Sequence, residues 1–138
     1  MGRRLRIALG CLALFVGVAS HVRAQQFGSF QAATPALASN LVVATGANRK
    51  LLTLDIAADS TLAGAAWWAM VWDATSLPAN GAVTPAKCYA LASGTPQLSL
   101  TFDTDGPRFQ SGIVVGVSTT GCFSLTASAH AFLAADYQ

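Results

Sequence analysis

The chain has 138 residues, of which 10% are charged, and it carries eight Lys and Arg against six Asp, with no Glu. This scarcity of the charged residues that fill exposed helix faces argues against a helical bundle. Four of the eight basic residues lie before position 25, and among the other four only Arg49 and Lys50 are adjacent. Because nucleic acids and anionic membranes are bound by clustered Lys and Arg, both classes of partner are disfavoured.

The first 24 residues have the pattern of a signal peptide. Arg3, Arg4 and Arg6 precede an uncharged, mostly apolar run over 7–19, and the segment ends in Val-Arg-Ala. The run is shorter than the roughly 20 residues of a membrane-spanning helix. We therefore expect an exported chain that begins at Gln25, periplasmic or extracellular, with a virion or a cell surface as a further location. Its formal net charge would be −2, from four basic residues and six Asp.

Residues 25–39 show no clear alternation and are assigned to an N-terminal arm, whereas residues 40–138 have the size of a single domain. Within this domain, QLSLTFD at 97–103 and LLTLDIA at 51–57 alternate between apolar and polar residues. A period of two predicts strands with one buried face and one solvent face.

Other segments of the domain are apolar almost throughout. Three of them predict central strands that are covered on both faces or nearly so: NLVVAT (40–45), AWWAMVWD (66–73) and GIVVGVST (112–119). Two more candidate strands complete the set: KCYALA (87–92) and SAHAFLAADY (128–137). Turns rich in Gly, Pro, Asn and Asp separate these segments. The pattern predicts an all-β fold, an antiparallel β-sandwich of about seven or eight strands with jelly-roll or immunoglobulin-like topology.

Three tryptophans lie in one predicted strand. Alternation places Trp68 and Trp72 on one face and Trp67 on the other. A sandwich core absorbs only one of these faces. Either the remaining indole surface is covered within the domain, or it is exposed and contacts a sugar ring or another subunit.

The segment between Trp72 and Cys88 concentrates turn-forming residues. Pro78, Asn80, Gly81 and Pro85 explain a bend, and the loop over 74–85 is longer than the two to five residues of a tight hairpin. We predict a structural loop, with a crossing between the two sheets as one route for it. We expect Asp73 to accept hydrogen bonds from N–H groups of this same loop.

Cys88 and Cys122 are the two cysteines that follow the predicted leader. In an exported domain such a pair predicts a disulfide. A single strand from Cys122 to His130 would direct Cys122 away from the face of Phe123 and Leu125. The bond would then need either a bulge near Gly121 or an outward position.

Catalytic and metal-binding patterns are weak. His130 is the only histidine after the predicted leader, and no G-x-S-x-G turn is present. The six aspartates lie at strand ends and turns, where Asp commonly bonds to the backbone. DTDGPR at 103–108 lacks the closing Glu of a calcium loop, and two Cys with one His do not supply a zinc set. We predict a protein without enzymatic activity, cofactor or metal.

Two longer segments carry a resemblance to a known group of proteins. VWDATSLPANGAVTPAKCYAL at 71–91 and FQSGIVVGVSTTGCFSLTASAHAFLAADYQ at 109–138 resemble small β-rich proteins encoded among the virion structural genes of tailed phages and prophages. The resemblance covers roughly residues 40–138, here preceded by a signal peptide. It implies a small β-sandwich used as a virion or surface component, either a decoration protein or one associated with a fibre.

Two functions therefore follow from the sequence. The first is a non-catalytic, exported structural, assembly or surface-interaction protein that binds a protein partner or itself. The alternative is a secreted carbohydrate-binding module that uses an exposed tryptophan. Neither involves nucleic acid, nor a membrane once the leader is removed.

Overall fold

The computed structural model describes residues 28–102 and 105–138. The predicted signal peptide, residues 1–24, and Asp103 lie outside the described residues. Strands dominate the described chain, and its one helix, α1 (Ser60–Ala63), is a single turn. Asp59 begins this turn because its side chain accepts hydrogen bonds from the N–H groups of Thr61 and Leu62.

The larger sheet has five strands, all in antiparallel pairs. Its main order is β1-β11-β3-β7, and β8 pairs with the start of β3. The strands are β1 (Phe30–Ala33), β3 (Arg49–Ala58), β7 (Gln97–Thr101), β8 (Arg108–Phe109) and β11 (Ala131–Tyr137).

The second sheet has four strands in the order β2-β9-β4-β6, again antiparallel. They are β2 (Asn40–Thr45), β4 (Trp67–Asp73), β6 (Lys87–Leu91) and β9 (Gly112–Ser118). Two short strands, β5 (Gly81–Ala82) and β10 (Ser124–Leu125), pair with each other outside these sheets. Eight of the strands have four or more residues, and the predicted all-β antiparallel sandwich is confirmed.

The main core lies between the two large sheets. Leu54 and Ile56 of β3 face inward, whereas Asp55 between them faces solvent, as the alternation in the sequence predicts. Trp67 and Val115 belong to the same core from the opposing sheet. The predicted strands at 51–57, 66–73, 97–103 and 112–119 are all present, with boundaries that differ by one to two residues.

The prediction of a central strand at 40–45 is wrong, because β2 pairs only with β9 and forms an edge. A register shift between Val42 and Ala44 interrupts the alternation, so that Val43 and Ala44 are both buried. Val42 is 41% exposed. The continuous apolar run at this position therefore reflects a bulge at an edge and not burial on both faces.

Two further segments differ from the sequence-based assignment. The segment assigned to an N-terminal arm contains β1, a strand of four mostly exposed residues whose alternation is too short to detect. A single strand over 122–130 does not form, because that stretch holds only the two-residue β10 before β11 begins at Ala131.

Candidate binding surface

The outward face of the four-stranded sheet is covered by two loops, residues 74–86 and 119–128, which we call the cap. Leu77, Val83 and Leu125 from the cap pack with Met70 and Trp72 of β4 in a second buried cluster. The two loops are joined by the pairing of β5 with β10 and by the N–H of Val83, which donates to the carbonyl of Phe123 at 3.1 Å. The cap is thus a third layer of the domain.

A disulfide between Cys88 and Cys122 ties the cap to β6, with 5.7 Å between the two Cα atoms. This agrees with the predicted pairing. Cys88 lies opposite Met70 on the outward face of the sheet, so the bond belongs to the second cluster and not to the main core. The sequence allowed either an inward disulfide with a bulge near Gly121 or an outward disulfide, and the structure has the outward one.

The turn-forming residues of the 74–85 loop have structural contacts. The Asn80 Oδ1 accepts a hydrogen bond from the N–H of Ala127 at 3.0 Å, and Gly81 has a φ of +125°. Pro78 and Pro85 are partly buried. The loop does not cross between the sheets, because the strands it connects, β4 and β6, are direct neighbours.

The expected partners of Asp73 require correction. Its carboxylate accepts hydrogen bonds from the backbone N–H groups of Gln110 (2.9 Å), Ser111 (2.6 Å) and Gly112 (3.3 Å), and not from the loop that follows it. Asp73 pairs with Ile113 at the end of β4, so its side chain meets the turn that enters the neighbouring strand β9. The N–H of Gln110, followed by that of Ser111, lowers the pKa of Asp73 below its ordinary value.

The tryptophans divide between the two clusters as alternation predicts. Trp67 is fully buried in the main core, and its Nε1 donates to the carbonyl of Thr95 at 2.9 Å. Trp72 is buried under the cap, and Trp68 is partly buried beside it. Trp67 and Trp72 are therefore inaccessible to a sugar or a partner protein in the folded domain.

The only close pairing of histidine with a carboxylate in the described chain joins His130 and Asp59, with 2.8 Å between Nδ1 and Oδ2. The other oxygen of Asp59 accepts from the N–H groups that begin α1. The N–H of Leu62, and then His130, lower the pKa of Asp59. The pair fixes the end of β3 and α1 to the start of β11, since the N–H of Asp59 also donates to the carbonyl of His130.

Within residues 28–102 and 105–138, no loop layer like the cap covers the outward face of the five-stranded sheet, and we call this face the bare face. Most of its outward residues are exposed, including Asp55, Ala57, Gln97 and Ser99. Phe132, the second residue of β11, lies on this face and is 49% exposed. The register places Phe132, Ala57 and Gln97 side by side in one row across β11, β3 and β7.

The neighbouring row of the bare face consists of Ala33, Ala134, Asp55 and Ser99. Together the two rows line a shallow groove of about 230 Å³. The small alanine side chains leave its floor low, while Phe132 and Gln97 stand on opposite sides about 10 Å apart, two strand spacings. The groove is therefore a flat apolar floor bordered by one ring and several polar groups.

Carboxylates on the bare face have hydroxyl neighbours. The Ser99 hydroxyl donates to Asp55 Oδ1 from the adjacent strand. In the next row the Thr53 hydroxyl donates to Asp136 Oδ2 at 2.9 Å. The described rows that contain Asp55 and Asp136 include no Lys, Arg or His, so this part of the face is acidic, whereas Lys50 and Arg108 pair at the start of β3.

Comparison of the chain with protein-family models, with curated proteins and with solved structures finds no match in any of the three. Within residues 28–102 and 105–138, no group of three or more His, Cys, Asp or Glu is arranged to hold a metal ion. No helix in this part of the chain is long and apolar enough to cross a membrane.

Sequence reasoning did not identify the bare face as a site. A signal was nevertheless present, since Phe132 occupies a polar-side position in β11, between the inward Ala131 and Leu133. A large aromatic residue on the solvent side of an alternating strand, next to exposed alanines, marks a candidate binding surface. Detecting it required the strand boundary at Ala131, which the sequence placed three residues earlier.

Proposed function

We propose that this protein is a non-catalytic, exported interaction protein, a structural, assembly or surface component that binds its partner through the bare face. The observation that carries the proposal is the asymmetry of the two outward faces. One is covered by the cap and joined to it by a disulfide. The other carries an open groove beside the exposed ring of Phe132.

An exposed aromatic ring over an apolar floor is a common feature of binding surfaces, because monomeric domains rarely leave such patches uncovered. The cap buries the indole of Trp72 and the side chain of Met70, so the chain already covers one of its two outward faces. The remaining face is the one available to a partner. The resemblance to phage virion components favours a structural or assembly role for it.

A non-catalytic role is supported by the use of the Asp59 carboxylate. One oxygen holds the N–H groups of α1 and the other contacts His130, so both oxygens act in the connection between β3 and β11. The glycan-binding alternative relies on an exposed tryptophan. Trp67 and Trp72 cannot have this role, because both are buried.

Site-specific photocrosslinking in the producing cell tests the proposal. A photoreactive phenylalanine analogue replaces Ala57 in the bare face, and a matched variant replaces Ala82 in the cap; both alanines are exposed and lie in strands. We expect an adduct of the exported protein from position 57 and none from position 82. The mass of the adduct distinguishes a second copy from another molecule. Adducts from position 82 alone would contradict the proposal.

A further inference from the structure

We propose that the groove of the bare face binds a neutral pyranose unit of a glycan, with Phe132 as the stacking platform and Asp55 and Gln97 as the groups that bind its hydroxyls. This inference rests on the proposed function, since it names the partner chemistry of the same surface. It uses none of the three tryptophans.

The shape of the groove fits a single ring-shaped ligand. Its volume of about 230 Å³ lies below the range of about 300–1,000 Å³ typical of drug-sized pockets. Alanines form the floor, and Phe132 stands at one side of it. A pyranose ring has an apolar face of C–H groups, and such a face contacts an aromatic ring without requiring a deep cavity.

The polar groups of the groove have hydrogen-bonding capacity to spare. Ser99 occupies Oδ1 of Asp55, and within the described chain Oδ2 of Asp55 and the side-chain amide of Gln97 have no hydrogen-bond partner. A carboxylate accepts hydrogen bonds, whereas an amide both donates and accepts. Neighbouring sugar hydroxyls, each a donor and an acceptor, match this combination.

Charge selects among the occupants of the groove. Asp55 and Asp136 make the groove's end of the face acidic, because the groove rows contain no basic residue to receive an acidic sugar or a phosphate. The basic pair Lys50 and Arg108 lies at the start of β3, away from the groove. Two copies of this face packed against each other would bring these carboxylates together, which is unfavourable. A neutral glycan has no such penalty, and its hydroxyls replace water at the carboxylate.

A glycan array followed by calorimetric titration tests the inference. The exported protein, with its disulfide formed, is applied to an array of neutral, sialylated and sulfated oligosaccharides. We expect retention by neutral glycans only. The best neutral oligosaccharide is then titrated against the wild type, Phe132→Ala and Asp55→Asn, and each substitution should weaken binding by about tenfold or more.

Phe123→Ala is the matched control, because Phe123 is 72% exposed and lies in the cap. It should bind like the wild type, and all variants should keep the wild-type melting temperature because these side chains are at the surface. The inference is overturned if no neutral glycan is retained, if acidic glycans are preferred, or if Phe132→Ala binds normally. Binding of a basic peptide in place of a glycan, lost in Asp55→Asn, would also overturn it. In that case crosslinking from position 57 would still support the proposed function.

Discussion

Asp73 and Gly112 lie where the end of β4 meets the start of β9. The carboxylate of Asp73 satisfies three backbone N–H groups that enter β9, the last of them belonging to Gly112. A Cβ at Gly112 would come within 2.7 Å of the Ala44 carbonyl oxygen and 2.8 Å of the Ala74 carbonyl oxygen. The carboxylate of Asp73 and the absence of a Cβ at Gly112 therefore allow the ends of β2 and β4 and the start of β9 to meet at this point.

The Asp73→Asn substitution should lower the melting temperature by about 5 °C at pH 7, because the charged acceptor of the three N–H groups is lost. The folded-state pKa of Asp73 lies below its ordinary value of 3.8. Its contribution is therefore complete above that value and is lost as the pH falls through the folded-state pKa. Thermal melts at pH 7 and at pH 2 should show a smaller difference between wild type and variant at the lower pH. Ser76→Ala, an exposed change in the adjoining loop, should have no effect at either pH.

The Gly112→Ala substitution should destabilise the protein by about 3 kcal/mol more than Gly121→Ala, because only the first places a methyl group against two carbonyl oxygens. The two glycines make a matched pair, since their φ angles are +159° and +150° and a Cβ at Gly121 meets nothing within 4 Å. Urea denaturation of both variants measures the difference. Equal losses of stability would mean that backbone conformation, and not the close approach, determines the requirement for glycine at 112.

The cap is the element that distinguishes this sandwich from a plain pair of sheets. Without it, Met70, Trp72 and Val114 would be exposed on the outward face of the four-stranded sheet. A Cβ at Gly116 would lie only 2.9 Å from a methyl group of Leu77. Glycine at this position of the sheet therefore leaves room for the Leu77 side chain of the cap. The apolar residues on both faces of β4 predicted coverage on both sides. They did not predict that the chain's own loops provide one of the covers.

Removal of the disulfide should loosen the cap before the sheets. The Cys88→Ala/Cys122→Ala variant loses the link across a sequence separation of 34 residues, worth up to about 4 kcal/mol in the chain-entropy model. Hydrogen exchange should accelerate most at the amides of Val83 and Ala127, which bond within the cap, and least in β9. Reductant should reproduce this pattern in the wild type and change nothing in the double variant. Uniform acceleration across β9 would show that the cap and the sheets unfold as one unit.

The main core of the molecule lies between two sheets whose outward faces differ: the cap covers one, and the other is exposed. The predicted mature chain has a formal charge of −2, and two of its carboxylates, Asp55 and Asp136, lie on the bare face. The disulfide lies on the other side, under the cap. The covalent link thus holds the covered layer and does not involve the bare face.

Export should be visible in the mature protein. Expressed with its leader in a bacterium, the chain should be recovered from the periplasm or the medium with Gln25 at its N-terminus and with Cys88 joined to Cys122. An otherwise identical chain without residues 1–24 should remain in the cytoplasm with both thiols free, because that compartment is reducing. Intact-mass spectrometry with and without alkylation measures both properties. An exported protein that retains its full leader would contradict the prediction.

The class of fold and most of the strands follow from local patterns in the sequence. Alternation at 51–57 and 97–103 and continuous apolar runs at 66–73 and 112–119 are local properties, and each corresponds to a strand of the structure. The pairing of Cys88 with Cys122 was predictable because only two cysteines follow the predicted leader. These features depend on residue order and not on which segments meet in space.

Which surfaces are covered depends on contacts between segments that are distant in the chain. Asp73 meets Gln110 and Ser111 across a pair of strands, and the cap joins segments from two distant parts of the chain. Such contacts depend on strand order and register, which local periodicity does not specify. The same limit hid the bare face, because Phe132, Ala57 and Gln97 become neighbours only when β11, β3 and β7 align. A surface made from three strands exists only once those strands have been paired.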